Sequence, residues 1–380
     1  MSLWYNMVTA RIDLSCIEHN YRLLLGKGTE LIPVVKADAY GHGLGPVANR
    51  LEGLGAGHLA VGTVSEGAAL RLTPYSGKIT SLLGPQTIED YDLVRSFDII
   101  PVVYRMDQLQ ELAARALPGN RPQEVVLKFA TGMNRLGFAP DALEAVVALL
   151  RQTPGLQLQG VCSHLSSADV PADASVVAQG KRFQELCRAL GEAGFTFQAN
   201  LANSAALLAC PGLQLDAQRP GIALYGANPF HGTPWEDKGE GLRPAMSVAA
   251  PVVSVHPLRK GEGISYGLTY VAEKDMTVAI VGVGYADNYS RGLSGRAEML
   301  LNGNRVRVLG RVCMQLTAVD ASGVPKVAAG DPAFVLGGGF NGVTPEELAG
   351  WWGTIPYEVF CLLGQNRREY LDGPRGVNRP

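Results

Sequence analysis

Leu31-Ile32-Pro33-Val34-Val35-Lys36-Ala37-Asp38-Ala39-Tyr40-Gly41-His42-Gly43 is an apolar run that ends on a lysine and passes at once into Gly/His/Asp punctuation. A short apolar run closed in this way predicts a buried strand feeding a loop. A lysine at that junction must be desolvated or paired, and desolvation lowers an amine's pKa into the range where it forms a Schiff base. Taken alone, such a lysine more often just carries its ammonium out to water.

Outward from this stretch, short β-branched runs alternate with helical patterns as far as about residue 230. Strands are predicted at Leu31 to Lys36, His58 to Val61, Ile79 to Leu83, Ile99 to Val103, Val125 to Phe129, Leu158 to Cys162, Phe197 to Ala202 and Ile222 to Leu224. Helices are predicted at Ile17 to Leu25, Met106 to Ala116, Asp141 to Gln152 and Ser175 to Ala193. Eight strand-then-helix units make an α/β fold, a (β/α)8 TIM-type barrel with its helices outside. After the Gly/Pro/charge-rich stretch Asn228 to Pro244, apolar runs follow one another without helices, which predicts a second, mostly-β domain. Thr344 to Trp351 reads as a short helix with Thr344 as N-cap and Pro345 at its first position.

The 380 residues carry 33 basic and 35 acidic side chains. That balance leaves no electrostatic footprint for nucleic acid or an anionic membrane. The start of the chain has no leader pattern, and no run of about eighteen apolar residues occurs, so a cytoplasmic protein that meets no membrane is expected. The six cysteines and six histidines lack metal-ligand spacing, so no metal site is expected. The cysteines are expected to be buried, reduced thiols, and any cofactor to be organic.

In such a barrel the active site lies at the C-terminal ends of the strands. Lys36 closes the first predicted strand, Lys128 lies near the end of the fifth, and His164 follows the sixth. Asn203-Ser204 follow the seventh, and Arg219-Pro220-Gly221 precede the eighth. Each has an ordinary alternative: an ion-pair lysine, a core histidine, an N-cap serine, a turn glycine. Asn203-Ser204 and Gly221-Ile222 offer hydroxyl and backbone N–H donors suited to a phosphate. A Schiff-base lysine with a phosphate cradle suggests pyridoxal 5'-phosphate.

From Ile12 to Tyr370 the chain resembles the alanine racemases, fold-type III pyridoxal-phosphate enzymes. The resemblance is carried by Val34 to Gly43, by Lys128 with Thr131-Gly132-Met133-Asn134-Arg135-Leu136-Gly137, and by Gly160-Val161-Cys162-Ser163-His164-Leu165. It continues through Ala202 to Ala205, Arg219 to Gly226, Ser265-Tyr266-Gly267, Gly284-Tyr285-Ala286-Asp287 and Tyr357-Glu358. It implies residues 1–12 as a strand joining the β domain, 13–235 as the cofactor-binding barrel and 236–380 as the β domain.

By this resemblance Lys36 carries the cofactor and serves as the base on one face of the substrate Cα, and Tyr266, contributed by a second copy, serves the other face. His164 packs near the cofactor ring, Arg219 faces the pyridine nitrogen, and Tyr40, Ser204, Gly221, Ile222 and Tyr357, with Asn203 beside them, surround the phosphate. Arg135 and Met314 hold the substrate, and Lys128 matches a lysine that is often carbamylated. Asp169, Tyr266, Arg291, Arg311, Ile355 and Tyr357 match a gate to the site. A head-to-tail homodimer with composite sites, acting on L- and D-alanine to supply peptidoglycan, is implied.

Two positions depart from the family pattern. Ala130 and Gln315 stand where an aspartate is common, which bears on substrate preference. A broad-specificity or serine racemase shares nearly all of these motifs. A fold-type III decarboxylase draws a catalytic cysteine from its second domain, where this chain offers Tyr266. A non-catalytic pyridoxal-phosphate-binding protein lacks the second domain altogether.

Overall fold

Asp13 is both the last residue of a strand and the first cap of a helix, and the two domains are joined through it. The computed structural model describes residues 7–116 and 121–373. Strand Thr9–Asp13 pairs antiparallel with Met246–Leu258 and parallel with Arg367–Leu371, so the start of the chain is woven into the C-terminal sheet. The Asp13 carboxylate then accepts the Ser15 N–H at 2.9 Å and caps helix Leu14–Leu25, which opens the barrel domain. Residues 1–6 of the segment assigned to this strand lie outside the described residues.

The barrel sheet is parallel, in the order Glu30–Leu31, Ala217–Gln218, Gln198–Asn200, Leu156–Cys162, Gln123–Lys128, Ile99–Val103, Lys78–Ser81, His58–Val61. A parallel bridge between Val34 and Ala60 closes it, with Val35 N–H donating to the Ala60 carbonyl at 2.7 Å. His58–Val61 and Ile99–Val103 are buried along their whole length, as strands packed on both faces require.

One predicted strand is wrong. Ile222–Tyr225 is a turn of 3-10 helix, and the eighth strand is Ala217–Gln218, so Arg219-Pro220-Gly221 follow that strand. The apolar run at 222–225 is buried as a plug whose Tyr225 hydroxyl donates to the Val34 carbonyl at 3.0 Å. Periodicity cannot separate such a plug from a short buried strand. The first strand also stops early, and Lys36 stands just beyond the Val34 bridge.

The second domain closes six antiparallel strands on themselves. Met276–Val281, Thr317–Asp320, Asn304–Leu309, Glu298–Leu301, Pro332–Leu336 and Met246–Leu258 follow in order, and the last pairs back with the first. Met246–Leu258 serves both halves of this sheet by slipping register between Val252 and Ser254, a bulge that bends the strand. Helices Pro345–Trp352 and Pro356–Leu363 return the chain towards the barrel. Thr344 and Glu347 form the reciprocal cap of the first of them.

Among the described residues no helix is long and apolar enough to cross a membrane. All six cysteines are free, but only Cys162 is buried. The other five are half-covered on helices or loops at the edge of the core, so the expectation of uniformly buried thiols does not hold.

Candidate active site

Lys36 is delivered by an unusual turn. Ala37, Asp38, Ala39 and Tyr40 all have φ near +53°, a left-handed helical turn built from residues with side chains. Each such residue costs roughly 1–2 kcal/mol relative to the right-handed form, so the turn must be held from outside. The Asp38 carboxylate accepts the Leu44 N–H at 2.7 Å and pairs with Arg368 of the last strand. Gly41 abuts the Phe360 carbonyl so closely that a Cβ there would stand 2.3 Å from its oxygen. The Tyr40 ring stacks on Tyr225 at 4.7 Å, and buried His42 packs on Tyr225 and Phe360. The C-terminal domain therefore braces the lysine turn of the barrel.

A cavity of about 450 Å³ opens at the C-terminal ends of the barrel strands. Eleven residues singled out from sequence line it: Lys36, Tyr40, Lys128, Arg135, His164, Asn203, Ser204, Arg219, Gly221, Ile222 and Tyr357. Val34, Gly62, Leu82, Leu83, Val102, Leu136 and Cys162 complete the wall; Val34, Leu136 and Cys162 stand within the quoted motifs, but none of the seven was named from sequence as a site residue. Val102 and Cys162 are strand residues, while Val34, Leu82, Leu83 and Leu136 lie in the segments beyond strand ends, and an apolar pattern reports burial, not which end of the barrel a residue faces.

Among the described residues, four cationic side chains and no carboxylate line this cavity. Lys36 can be reached from the mouth but is enclosed by protein, and this desolvation, with Arg135 nearby, lowers its pKa. Desolvation, followed by the cations Arg219, Arg135 and Lys36, also lowers that of Lys128. His164 is pushed down to about 3 by burial and then by Arg219, Lys128, Arg135 and Lys36, so its imidazole is neutral. Arg219 is buried, and its Nη2 donates to the Ser163 carbonyl at 2.6 Å. The whole wall favours an anionic guest.

The Ser204 hydroxyl accepts N–H bonds from Gly221 at 2.9 Å and Ala223 at 3.2 Å. Asn203 caps the helix Ser204–Ala209 by accepting the Ala206 N–H. A Cβ on Gly221 would stand 2.4 Å from the Tyr40 hydroxyl, so only glycine leaves this corner open. Tyr357, from the C-terminal domain, places its ring 5.9 Å from that of Tyr40. Burial, with the Asp169 charge nearby, raises its pKa to about 12, so the phenol keeps its proton.

Other predicted residues lie elsewhere. Tyr266, Met314, Arg311 and Arg291 belong to the β domain and do not line the cavity. Tyr266 is 66% exposed and Met314 57%. They share one surface: the Ser265 hydroxyl donates to the Arg311 carbonyl at 2.6 Å, and Ser294 links the Arg291 carbonyl to the Val312 N–H. Ile355 precedes the Tyr357 helix and is exposed, as is Asp169. Ala130 and Gln315 place no carboxylate at either spot, Ala130 half-buried beside the cavity and Gln315 exposed.

With this geometry in hand, comparison with known proteins is specific. Residues 12–229 match the family described as alanine racemase, N-terminal domain, and residues 245–370 the one described as alanine racemase, C-terminal domain. The alanine racemase of Nitratidesulfovibrio vulgaris (strain DSM 19637 / Miyazaki F) is 50% identical over 98% of this chain and 100% of its own length. The alanine racemase of Mycobacterium tuberculosis is 39% identical over 93% of each chain. Among solved structures, the alanine racemase of Streptomyces lavendulae superposes with a TM-score of 0.90 at 33% identity, over 98% of this chain and 99% of that one. The alanine racemase of Bartonella henselae, solved with covalently bound pyridoxal phosphate, superposes at 0.86 with 26% identity, over 96% of this chain and 99% of that one. A parallel barrel joined to a closed β domain, a lysine at the head of a left-handed turn and full-length similarity all agree: the chain belongs to the alanine racemase family.

Proposed function

We propose that this enzyme interconverts L-alanine and D-alanine, using pyridoxal 5'-phosphate held in the barrel cavity. The observation that carries the reading is the convergence of Lys36, Arg219 and the Ser204–Gly221 corner on one cavity lined by cations.

The residues fit the cofactor. The corner that a Cβ on Gly221 would fill, with the Ser204 and Tyr40 hydroxyls around it, suits a phosphate, and the apolar wall of Leu82, Leu83 and Val102 suits a flat ring. Tyr40, Ser204, Gly221, Ile222 and Tyr357 would hold the phosphate, Asn203 would order the helix behind it, and Lys36 would bond the aldehyde carbon. Arg219 would face the pyridine nitrogen. Although burial lowers its pKa, a guanidinium keeps its proton, and it would withhold that proton from a ring nitrogen placed beside it. When bound, the cofactor supplies the electron sink that acidifies the substrate Cα–H.

The chain's own groups then handle the proton. Lys36, whose lowered pKa makes a neutral amine accessible, takes or returns it on one face. Tyr266 of the partner subunit takes or returns it on the opposite face. Its exposed position outside its own chain's cavity supports a role in a neighbouring copy's site, within a head-to-tail homodimer. Arg135 orients the substrate carboxylate, together with the backbone of Met314. His164, held neutral, can accept a hydrogen bond in a site otherwise rich in donors.

Lys128 stands among Arg135, Arg219 and Lys36, with no acid among the described residues of the cavity wall. Carbamylation, in which Nζ bonds to carbon dioxide and releases a proton, would turn it into an anion facing Arg135. Asp169, Tyr266, Arg291, Arg311, Ile355 and Tyr357 would form the gate. Supply of D-alanine for peptidoglycan, in the cytoplasm, is the role we assign.

The test is chiral chromatography of L-alanine and, separately, L-serine and L-lysine after incubation with the purified protein and pyridoxal 5'-phosphate. D-alanine should form far faster than either other product. A lead for serine or lysine would replace the substrate assignment, and no racemisation despite cofactor binding would remove the two-base assignment.

A further inference from the structure

Glu66 does not line the cavity, yet its carboxylate joins the two backbone segments that meet behind Lys36. Oε2 accepts the N–H groups of Gly62 at 2.6 Å and Thr63 at 3.2 Å, and the Thr63 hydroxyl accepts the Glu66 N–H at 3.1 Å. That is a complete reciprocal cap for helix Val64–Arg71, and it uses one oxygen. The other oxygen leaves the helix: Oε1 accepts the N–H of Ala37 at 2.8 Å.

Ala37 is the first residue of the left-handed turn and the one bonded to Lys36. Gly62 also stands between the same carboxylate and the lysine stem. A Cβ built on Gly62 would stand 2.9 Å from Glu66 Oε2 and 3.4 Å from Lys36 Cβ, so the two side chains share a space that only glycine leaves free.

We propose that Glu66 is a positioning residue, its second carboxylate oxygen fixing the Ala37 N–H so that the Lys36 amine points at the cofactor aldehyde. This rests on Lys36 being the cofactor-bearing amine. The groups facing Lys36 are the cations Arg135 and Lys128, neutral His164, the Tyr40 ring at 6.0 Å, Cys361 and Glu66. Glu66 is the carboxylate among them. Its charge raises the Lys36 pKa against the lowering by desolvation and Arg135. Removing that charge moves the Lys36 titration to lower pH.

The experiment uses the full chain freed of cofactor and then mixed with pyridoxal 5'-phosphate. Nζ adds to the aldehyde carbon with loss of one water, and borohydride fixes the product for peptide mapping. The rate of attachment at Lys36 is followed from neutral to alkaline pH. E66Q should lower the alkaline plateau about tenfold, since misplaced reactants lose rate steeply, and should shift the midpoint to lower pH. E66D keeps the charge but is one methylene short, so its plateau should fall while its midpoint stays. T63A breaks the other half of the cap and should leave both unchanged.

An E66Q plateau and midpoint equal to wild type would overturn the proposal, and so would a T63A protein as slow as E66Q. If E66Q does not fold, E66D decides, and a wild-type rate there overturns it. Wild-type protein with no label at Lys36 would remove the lysine assignment and this proposal with it. A label at Lys36 that is indifferent to Glu66 removes the proposal alone.

Discussion

Arg219 is anchored by Asn200. Its Nη1 donates to the Asn200 main-chain carbonyl at 2.8 Å and to the Asn200 side-chain oxygen, while Nη2 reaches Ser163. A guanidinium only 8% exposed depends on these acceptors, because a buried donor left unpaired is costly. Asn200→Ala is expected to destabilise the protein by about 1–3 kcal/mol and to lower the racemisation rate by letting Arg219 drift. Urea unfolding midpoints and D-alanine formation measure the two effects, and a variant as stable as wild type would show that Asn200 is not the anchor.

Gly221 tests the proposed phosphate corner. Its Cβ position is 2.4 Å from the Tyr40 hydroxyl, so Gly221→Ala must push Tyr40 or the backbone aside. Cofactor affinity should fall at least about tenfold, an energy of about 1.4 kcal/mol. Equilibrium titration with pyridoxal 5'-phosphate reads this directly. Unchanged affinity would place the phosphate elsewhere.

Much of the cavity lining was legible in the sequence because polar residues at the ends of buried runs are rare and positioned by a regular fold. Lys36, Lys128 and His164 follow from that logic alone. The Ile222 to Leu224 run did not, since a buried 3-10 plug and a buried strand share the same composition. Glu66 was overlooked although Thr63-x-x-Glu66 spells a capping box, because the pattern reveals a helix start but not the second oxygen that leaves it. Nor could residue order reveal that Arg368, 330 positions away, would clamp Asp38.

Acid stability should be governed by buried histidines. Burial lowers His42 and His58 to about 4, and burial with surrounding cations lowers His164 to about 3, all from an ordinary 6.5. The folded protein refuses protons that the unfolded chain accepts. The stabilisation is therefore full above pH 6.5 and is lost as pH falls towards the folded values, at about 1.4 kcal/mol per histidine per pH unit. Melting temperature should drop across this window. His58→Gln, which can still bond the Thr80 hydroxyl now 2.8 Å from Nε2, should flatten part of the drop. A melting profile level down to about pH 4 would contradict the reading.

Tyr266→Phe removes one proposed acid–base group while leaving every residue of the cavity wall intact. Cofactor binding should be preserved. Exchange of the α-proton with solvent deuterium should be strongly reduced from one alanine enantiomer and retained from the other, because Lys36, the other proposed base, would still serve its own face. Equal, undiminished exchange from both enantiomers would remove Tyr266 from the reaction.

The last expectation concerns assembly. Tyr266, Leu268, Val271, Tyr285, Met314 and Leu316 are all exposed large side chains of the β domain. The Ser265–Arg311 hydrogen bond and the Tyr285 N–H donating to the Cys313 carbonyl at 3.1 Å hold the segments of Tyr266, Tyr285 and Met314 beside one another. Exposed large apolar side chains on neighbouring segments are what an interaction surface presents. Because it includes Tyr266 and Met314, neither of which lines the cavity of its own chain, burying it on a second copy is the step that would complete the site. Specific activity should then fall on dilution as dimers dissociate. Leu268 is 60% exposed, so Leu268→Glu should weaken association with little effect on the fold of either domain. Sedimentation should show monomer, pyridoxal 5'-phosphate should still attach to Lys36, and racemisation should be lost. A fully active monomer would mean that one chain supplies both bases, and the exposed Tyr266 could not then be one of them.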